Sequence, residues 1–158
     1  MSRFKYSRAP KRSDNAGYAS GLERRNVEYL KKLGVNFEYE SENCKFIYRK
    51  KVRLGRCATC GSSDVHEEHL YTCDLMVLTK SGKRIFIEIK GGGYGWTGAT
   101  RAKHIALKKQ FPDVDFRFVF SNANQKIGKN SKSTNATWCK RYGFKCASEL
   151  VPKSWLEE

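Results

Sequence analysis

One segment of the sequence, YTCDLMVLTKSGKRIFIEIKGGG at residues 71–93, restricts the fold more than any other. Two apolar runs, at residues 75–78 and 85–89, flank a polar turn at residues 80–82, and this pattern predicts a β-hairpin. The alternation along the second run places its three isoleucines on one face of the strand and Phe86 and Glu88 on the other. Each run also carries an acidic residue where a buried strand rarely has one.

The turn decides where these acidic residues lie relative to each other. If residues 80–82 form a three-residue loop with Gly82 in the left-handed conformation, Asp74 lies directly opposite Glu88. A two-residue loop would instead pair Asp74 with Ile89 and separate the carboxylates onto two faces. Gly82 favours the first register, so we predict two carboxylates and Lys90 on one patch at the end of the hairpin.

This patch suits metal-dependent chemistry on phosphate esters. Two facing carboxylates repel each other unless a cation lies between them, and hard divalent cations prefer oxygen ligands. A lysine beside them can orient an attacking water or stabilise negative charge on a phosphate. Asp on one strand and Glu-x-Lys on the next is the core pattern of the PD-(D/E)XK nucleases, so Asp74, Glu88 and Lys90 are candidate catalytic residues. The alternative is an exposed strand end with solvated charges.

The charge of the chain indicates a polyanionic partner. Lysine and arginine number 31 and aspartate and glutamate 16, which gives a formal net charge of +15. Nucleic acid fits this excess better than a membrane because no basic amphipathic helix with a broad apolar face is evident. No apolar run could span a bilayer and no apolar signal region follows the basic N-terminus, so we expect a cytoplasmic protein without a membrane partner.

The length predicts one domain, or one domain with a small insert, and the composition predicts a basic arm before it. Residues 1–19 mix basic residues with Ser, Gly, Asn and Pro without periodicity, which predicts a flexible arm, either a DNA-binding tail or a solubilising end. Residues 20–158 form the predicted domain, with the insert at about 53–70. The candidate DNA contacts are Arg3, Arg8, Lys11 and Arg12 in the arm and Arg101, Lys103, Lys126, Lys129 and Lys132 in the domain.

Helical and strand patterns alternate along the predicted domain. Helices are predicted near residues 20–33, 98–111 and 135–143, and strands near residues 35–40, 46–52, 115–121 and 144–147. Ser20 followed three residues later by Glu23 is the pattern of a capping box, which is a sufficient structural reason for Glu23. The functional alternative is that Glu23 is a third carboxylate at the metal site.

The insert contains a possible zinc site. The sequence CATCG at residues 57–61 has the spacing of a zinc knuckle, in which the glycine permits a tight turn around the metal. Six cysteines in a cytoplasmic chain indicate thiols or metal ligands rather than disulfides. Cys44 and Cys73 are rival ligands, and the alternative is ordinary thiols with solvent-exposed histidines. The predicted ligands of a structural zinc ion are Cys57, Cys60, His66 and His69.

Short motifs along most of the chain resemble the endonuclease I family of podophages, the four-way (Holliday) junction resolvases with a PD-(D/E)XK-type core. Several motifs in matching order and spacing are far harder to obtain by chance than one hairpin. In chain order they are SGLE (20–23), FEYE (37–40), YT-D (71–74), IFIEIKG (85–91), R-KH (101–104), FPDVDFRFVFSN (111–122), WCKRYGFK-A (138–147) and VPKSWLEE (151–158).

The resemblance implies an α+β fold with a restriction-endonuclease-like core, a central mixed sheet flanked by helices. In that family the helix Glu, the hairpin Asp and the E-x-K motif form the active site, which implies Glu23, Asp74, Glu88 and Lys90 here. It also implies Mg²⁺ or Mn²⁺, two ions per site, bound by Glu23, Asp74 and Glu88. The implied partners are branched double-stranded DNA and a second copy in a homodimer with exchanged elements, in a phage protein that acts in the host cytoplasm.

Two departures from the family pattern matter. Cys73 stands where the family usually has proline, which should alter the backbone before Asp74 but not the carboxylate chemistry. The segment 41–70 is longer than the family suggests and corresponds to the region through which its subunits are exchanged.

The resemblance makes a junction-resolving endonuclease the first functional hypothesis. The alternatives are a sequence-preferring homing or nicking endonuclease with the same core and a non-catalytic, zinc-stabilised nucleic-acid-binding protein.

Overall fold

The structure, a computed structural model, describes residues 17–52, 56–63, 65–91 and 96–158. The predicted basic arm at residues 1–19 lies almost entirely outside these ranges. Its four candidate DNA contacts, Arg3, Arg8, Lys11 and Arg12, all lie outside the described residues.

Helices and strands alternate through the described chain much as the sequence predicts. The helices are α1 (Gly21–Lys32), α2 (Gly98–Gln110), α3 (Asn135–Arg141) and α4 (Lys153–Leu156), with a 3₁₀ turn at Glu42–Cys44. The strands are β1 (Phe37–Tyr39), β2 (Lys45–Val52), β3 (Val65–Thr72), β4 (Leu75–Leu78), β5 (Arg84–Lys90), β6 (Asp115–Phe120) and β7 (Lys145–Ser148). None of the described helices combines the length and the apolar character needed to cross a bilayer.

The central sheet is mixed. Among the described residues it holds five strands in the order β1-β4-β5-β6-β7. β1, β4 and β5 pair antiparallel, whereas β5, β6 and β7 pair parallel. β2 and β3 pair only with each other, as an antiparallel β2–β3 hairpin outside this sheet.

Helices cover both faces of the central sheet. On one face, Leu30 of α1 and Trp155 of α4 share a buried cluster with Ile87 of β5. On the other face, Leu107 of α2 shares a second buried cluster with Phe118 of β6. The predicted α+β architecture, a mixed sheet flanked by helices, is confirmed.

The β4–β5 turn has the predicted three-residue loop. The Thr79 N–H donates to the Lys83 carbonyl at 2.9 Å, and the Gly82 N–H donates to the Thr79 carbonyl at 3.0 Å. Gly82 has φ +80°, a left-handed conformation that a side chain would strain. Strand pairing runs from Leu78↔Arg84 to Leu75↔Ile87, so the next opposed pair is Asp74 and Glu88, as predicted.

The insert is more regular than its composition suggests. Residues 65–72, most of which were predicted as part of a loop, form β3 along the whole length of β2. The hairpin is attached to α2, because the Arg49 N–H donates to Gln110 Oε1 at 2.7 Å and Gln110 Nε2 donates to the Arg49 carbonyl at 2.8 Å. Pairing with β2 supplies the order that the polar sequence VHEEHLYT does not encode alone.

A buried ion cluster attaches the C-terminus to the β4–β5 turn. Arg117 of β6 is fully buried, and its Nη2 lies 2.7 Å from Asp115 Oδ2 and 2.5 Å from Glu158 Oε2. Lys83 Nζ, beside the turn, lies 2.6 Å from Asp115 Oδ2, and the Ser81 N–H donates to the Glu158 carbonyl at 3.1 Å. The cluster lies at the opposite end of β5 from Glu88 and Lys90.

This cluster should make the free energy of unfolding depend on pH in the acid range. Burial raises the pKa of Asp115, but hydrogen bonds from Arg117 and Lys83 outweigh burial and lower the pKa to about 2. An unfolded Asp titrates at about 3.9, so the ionised carboxylate stabilises the folded chain above about pH 4 and this contribution is lost as the pH falls toward 2. We expect Asp115→Asn to lower the free energy of unfolding at pH 7, as measured by urea unfolding. Between pH 4 and 2 the free energy of unfolding of this variant should fall by less than that of the wild type. Asp113→Asn, at an exposed neighbour, should follow the wild type, and equal acid losses in all three proteins would contradict the assignment.

Candidate active site

Asp74 and Glu88 face each other where β4 begins and β5 ends. Asp74 is half-buried, and its Oδ2 accepts a hydrogen bond from the Ile89 N–H at 2.6 Å. Glu88 is only 4% exposed. Two carboxylates with so little access to water require compensating protons or cations.

Lys90 and Tyr71 both bind Glu88. Lys90 Nζ lies 2.5 Å from Glu88 Oε1, and the Tyr71 hydroxyl donates a hydrogen bond to Glu88 Oε2. Burial opposes the charge on Glu88, but the charge of Lys90 and the hydrogen bonds from Lys90 and Tyr71 outweigh it and hold the pKa of Glu88 below its usual value. Burial also opposes the charge on Lys90, while Glu88 and Asp74 raise its pKa. Glu88 and Lys90 are therefore a charged pair at neutral pH.

The pKa of Asp74 is shifted in the opposite direction from that of Glu88. Burial and the negative charge of Glu88 raise the pKa of Asp74 well above its usual value, against the lowering effects of Lys90 and the Ile89 N–H. The protein groups alone thus leave excess negative charge around Asp74. A bound cation would favour the ionised form of Asp74, so the surroundings of Asp74 suit a cation.

Glu23 projects toward the same place from the first turn of α1. Ser20 is the N-cap, and its hydroxyl oxygen accepts from the Glu23 N–H at 3.2 Å, so the predicted cap is present. The Glu23 side chain does not complete a capping box with the Ser20 N–H. It accepts instead from the Ala19 N–H at 3.2 Å, the Ser20 hydroxyl at 2.9 Å and the Tyr39 hydroxyl at 2.7 Å. Glu23 therefore takes part in the N-cap of α1 through its N–H group and lies beside the candidate site with its carboxylate.

Glu40 is a further carboxylate at this place, which the sequence alone does not single out as a site residue. One carboxylate oxygen each of Glu23, Glu40 and Asp74 lie within 4.8 Å of one another, which makes this the one group of three or more possible metal ligands among the described residues. The Glu40 N–H donates to the Asp74 carbonyl at 3.0 Å, and Glu40 has φ +43°. Glu40 ends the motif FEYE, but only the pairing of β1 with β4 brings it to Asp74.

His104, also missed as a site residue, lies behind Glu88. It is 1% exposed, and its Nε2 lies 3.7 Å from Glu88 Oε1 without a hydrogen-bond partner in the described chain. Burial lowers the pKa of His104 to about 4, so the imidazole is neutral at pH 7. The motif R-KH contained this residue, but its proximity to Glu88 depends on how α2 packs on the sheet.

The predicted zinc ligands are not assembled within the described chain. His66 and His69 are three residues apart on β3 and therefore point to opposite faces of the strand. Cys57 and Cys60 lie in the turn of the β2–β3 hairpin, where the N–H groups of Cys60 and Thr59 lower the pKa of Cys57 to about 7. The rival ligands Cys44 and Cys73 are both buried at the base of the hairpin, where the Cys73 N–H donates to the Cys44 carbonyl at 2.9 Å.

Of the predicted DNA contacts, Lys103 lies close to the carboxylates. Its Nζ lies 4.5 Å from the centroid of the Tyr71 ring, and the Tyr71 hydroxyl binds Glu88. Lys126 lines a small cavity with Gly91, the residue after Lys90. Arg101 instead donates to the Trp96 carbonyl at 2.8 Å. Lys129 and Lys132 are exposed in the loop before α3.

Known proteins resemble this chain over most of its length. The sequence profile of the family described as Phage endonuclease I matches residues 62–158, which include Asp74, Glu88 and Lys90. Endonuclease I of Escherichia phage T7 is 29% identical over 141 residues, which is 89% of this chain and 79% of that protein. Endodeoxyribonuclease 1 of Enterobacteria phage T3 is also 29% identical over 141 residues, 89% of this chain and 78% of that protein. The chain therefore belongs to the phage endonuclease I family, as its motifs predict, and the predicted enzyme class, a DNA endonuclease, is the class that the names of its relatives state.

Proposed function

We propose that this chain is a divalent-metal-dependent endonuclease with a PD-(D/E)XK-type core, which resolves four-way junctions and other branched DNA by phosphodiester hydrolysis. The observation that carries the proposal is the opposition of Asp74, the residue before β4, and Glu88 of β5, with Lys90 bound to Glu88 at 2.5 Å. Glu23 and Glu40 add carboxylates on the Asp74 side of this pair. This donor set is suited to phosphate chemistry and not to the recognition of bases.

The donor set fits Mg²⁺ or Mn²⁺. Carboxylate oxygens of Glu23, Glu40 and Asp74 within 4.8 Å of one another are the hard ligands that these ions prefer. Asp74 and Glu88 together would hold the second of two ions, so Asp74 would be shared by both. Bound divalent ions would stabilise the negative charge that develops on the phosphate and favour deprotonation of the attacking water.

The chain's own residues would orient the reacting groups. Lys90 is fixed by its contact with Glu88, and from there its ammonium group can orient the attacking water or bind a phosphate oxygen. Tyr71 and the neutral His104 limit the orientations open to the Glu88 carboxylate. Hydrolysis places the hydroxyl of water on phosphorus and the proton on the departing deoxyribose oxygen.

The charge of the chain supports a DNA substrate read through its backbone. The net charge of +15 would attract polyphosphate, and Lys103 lies over the Tyr71 ring, whose hydroxyl binds Glu88. Contacts of this kind position a duplex without reading its sequence, which suits an enzyme that selects branched structures. A homodimer would supply two active sites, one for each of two opposed strands in a junction.

A cleavage assay tests this function directly. The protein is incubated with Mg²⁺, and separately with Mn²⁺, on a synthetic four-way junction and on linear duplexes that contain the same arm sequences. We expect paired cuts close to the branch point and little cleavage of the linear DNA. Preferential cleavage of one linear sequence would contradict junction selectivity. The absence of cleavage of every substrate in both metals would contradict the nuclease mechanism.

Removal of the Glu40 carboxylate should weaken metal binding more than it changes the chemical step. We expect Glu40→Gln to raise the Mg²⁺ concentration that gives half-maximal junction cleavage by about ten-fold, since one charged oxygen ligand is lost. Glu42→Gln, at an exposed glutamate outside the carboxylate group, is the matched control and should leave the Mg²⁺ dependence unchanged. An unchanged Mg²⁺ dependence in the Glu40 variant would exclude Glu40 as a ligand.

A further inference from the structure

The turn of the β2–β3 hairpin has the backbone of a metal-binding knuckle. The Gly61 N–H donates to the Cys57 carbonyl at 2.8 Å, and the Cys57 N–H donates to the Ser62 carbonyl at 2.8 Å. Gly61 has φ +68°, which closes the turn after Cys60. This turn holds Cys57 and Cys60 at the two-residue spacing at which both sulfurs of a knuckle bind one metal ion.

Two thiols are half of a tetrahedral set, and the described chain does not supply the other half. Cys57 is half-exposed and Cys60 is exposed, so both sulfurs are open to an incoming ligand. No third His, Cys, Asp or Glu joins them in a possible metal group within the described ranges. Cys44 and Cys73 are buried at the far end of the hairpin, and Cys139 is buried behind the sheet on α3.

The same hairpin carries an apolar surface that is open to a partner. Ile47 and Leu70 are directly paired across β2 and β3, and they are 63% and 64% exposed. An exposed cross-strand pair of large aliphatic side chains is a typical starting point for association between proteins. The hairpin therefore combines an incomplete ligand set at its tip with an uncovered apolar pair near its base.

Charge also favours a partner that brings two more thiolates. Zinc with four thiolates carries a net negative charge, and Arg56, the residue before Cys57, is exposed in a strongly basic chain. A second copy of the chain brings two cysteines in the same preformed turn, and more basic residues to offset the charge. A two-fold arrangement of knuckles is self-complementary, so each copy makes the same contacts.

We propose that one zinc ion binds between two copies of this chain, with Cys57 and Cys60 of each copy as its four ligands. The zinc joins the tips of two β2–β3 hairpins and stabilises a dimer. Soft thiolates select zinc at this place, whereas the hard carboxylates around Asp74 select Mg²⁺ or Mn²⁺, so the two sites do not compete for the same metal. This inference does not depend on the proposed nuclease function.

Stoichiometry tests the shared site. The full chain is purified under reducing conditions without chelators, its zinc content is measured by inductively coupled plasma mass spectrometry, and its mass in solution is measured by light scattering. We expect one zinc per two chains and the mass of a dimer. One zinc per chain, a monomer that contains zinc, or reduced protein without zinc would each overturn the proposal.

Variants and a spectroscopic probe identify the ligands. Cys57→Ser and Cys60→Ser should each lose zinc and shift the mass toward that of a monomer, while the control Cys146→Ser, on β7, should retain both properties. Cobalt added to the zinc-free protein should give the absorption of a tetrathiolate site and saturate at half an equivalent per chain. Saturation at a full equivalent, or zinc retained by Cys57→Ser, would contradict the assignment. Glu88→Gln should keep its zinc, so failure of the zinc site and failure of the nuclease mechanism are separable.

Discussion

Glu88→Gln should lower the rate of junction cleavage by at least about 100-fold and leave junction binding nearly unchanged. Glutamine has almost the same shape and can still accept the hydrogen bond from Tyr71. It removes the negative charge that offsets Lys90 and that would hold one metal ion with Asp74. In the proposed mechanism the chemical step depends on this charge, whereas DNA binding depends mainly on basic residues elsewhere.

Single-turnover cleavage with saturating Mg²⁺ and enzyme measures the rate, and a gel-shift titration in Ca²⁺ measures binding. Glu67→Gln, at an exposed position on β3, makes the same chemical change away from the site and should cleave at the wild-type rate. The cleavage rate of Lys90→Ala should fall together with that of Glu88→Gln. Wild-type cleavage by a folded Glu88→Gln protein would rule out the site assignment.

Arg117→Ala should lower the free energy of unfolding by about 3 to 5 kcal/mol, because it leaves Asp115 and Glu158 without their buried cation. The guanidinium also lies over the Trp155 ring at 5.0 Å, so the variant loses packing as well as charge. Equilibrium urea unfolding at pH 7 measures the change.

The matched control is Lys83→Ala, which removes a partner of the same Asp115 carboxylate from a side chain that is 48% exposed. Its effect should stay below about 1 kcal/mol, since exposed ion pairs contribute little. Equal losses in the two variants would show that burial of Arg117 does not set the energetics of the cluster. A loss below about 1 kcal/mol for Arg117→Ala would show that the cluster is not needed for folding.

The parts of the site that the sequence predicts are the local ones. The hairpin register follows from Gly82 and a three-residue loop, and it fixes Asp74 opposite Glu88. The cap at Ser20 is likewise predicted from four consecutive residues. A single sequence predicts short-range geometry best, because a left-handed turn favours glycine and a helix N-cap favours serine within a few residues.

The parts that the sequence does not predict depend on contacts between distant segments. Glu40 reaches Asp74 only because β1 pairs with β4, and His104 reaches Glu88 only because α2 packs across β5. Arg117 occupies what the alternation of its strand suggests is an ordinary polar position, yet the C-terminal Glu158 buries and neutralises it. In the insert, two histidines with plausible ligand spacing fall on opposite faces, because β3 is a strand rather than a loop.

The left-handed backbone of Glu40 makes the site a place of conflict between folding and function. A non-glycine residue at φ +43° carries a local strain of about 1 kcal/mol or more. Glycine would relieve that strain, but it would also delete a carboxylate from the group around Asp74. In the proposed mechanism, glutamate at this position costs the fold some stability and supplies a metal ligand in return.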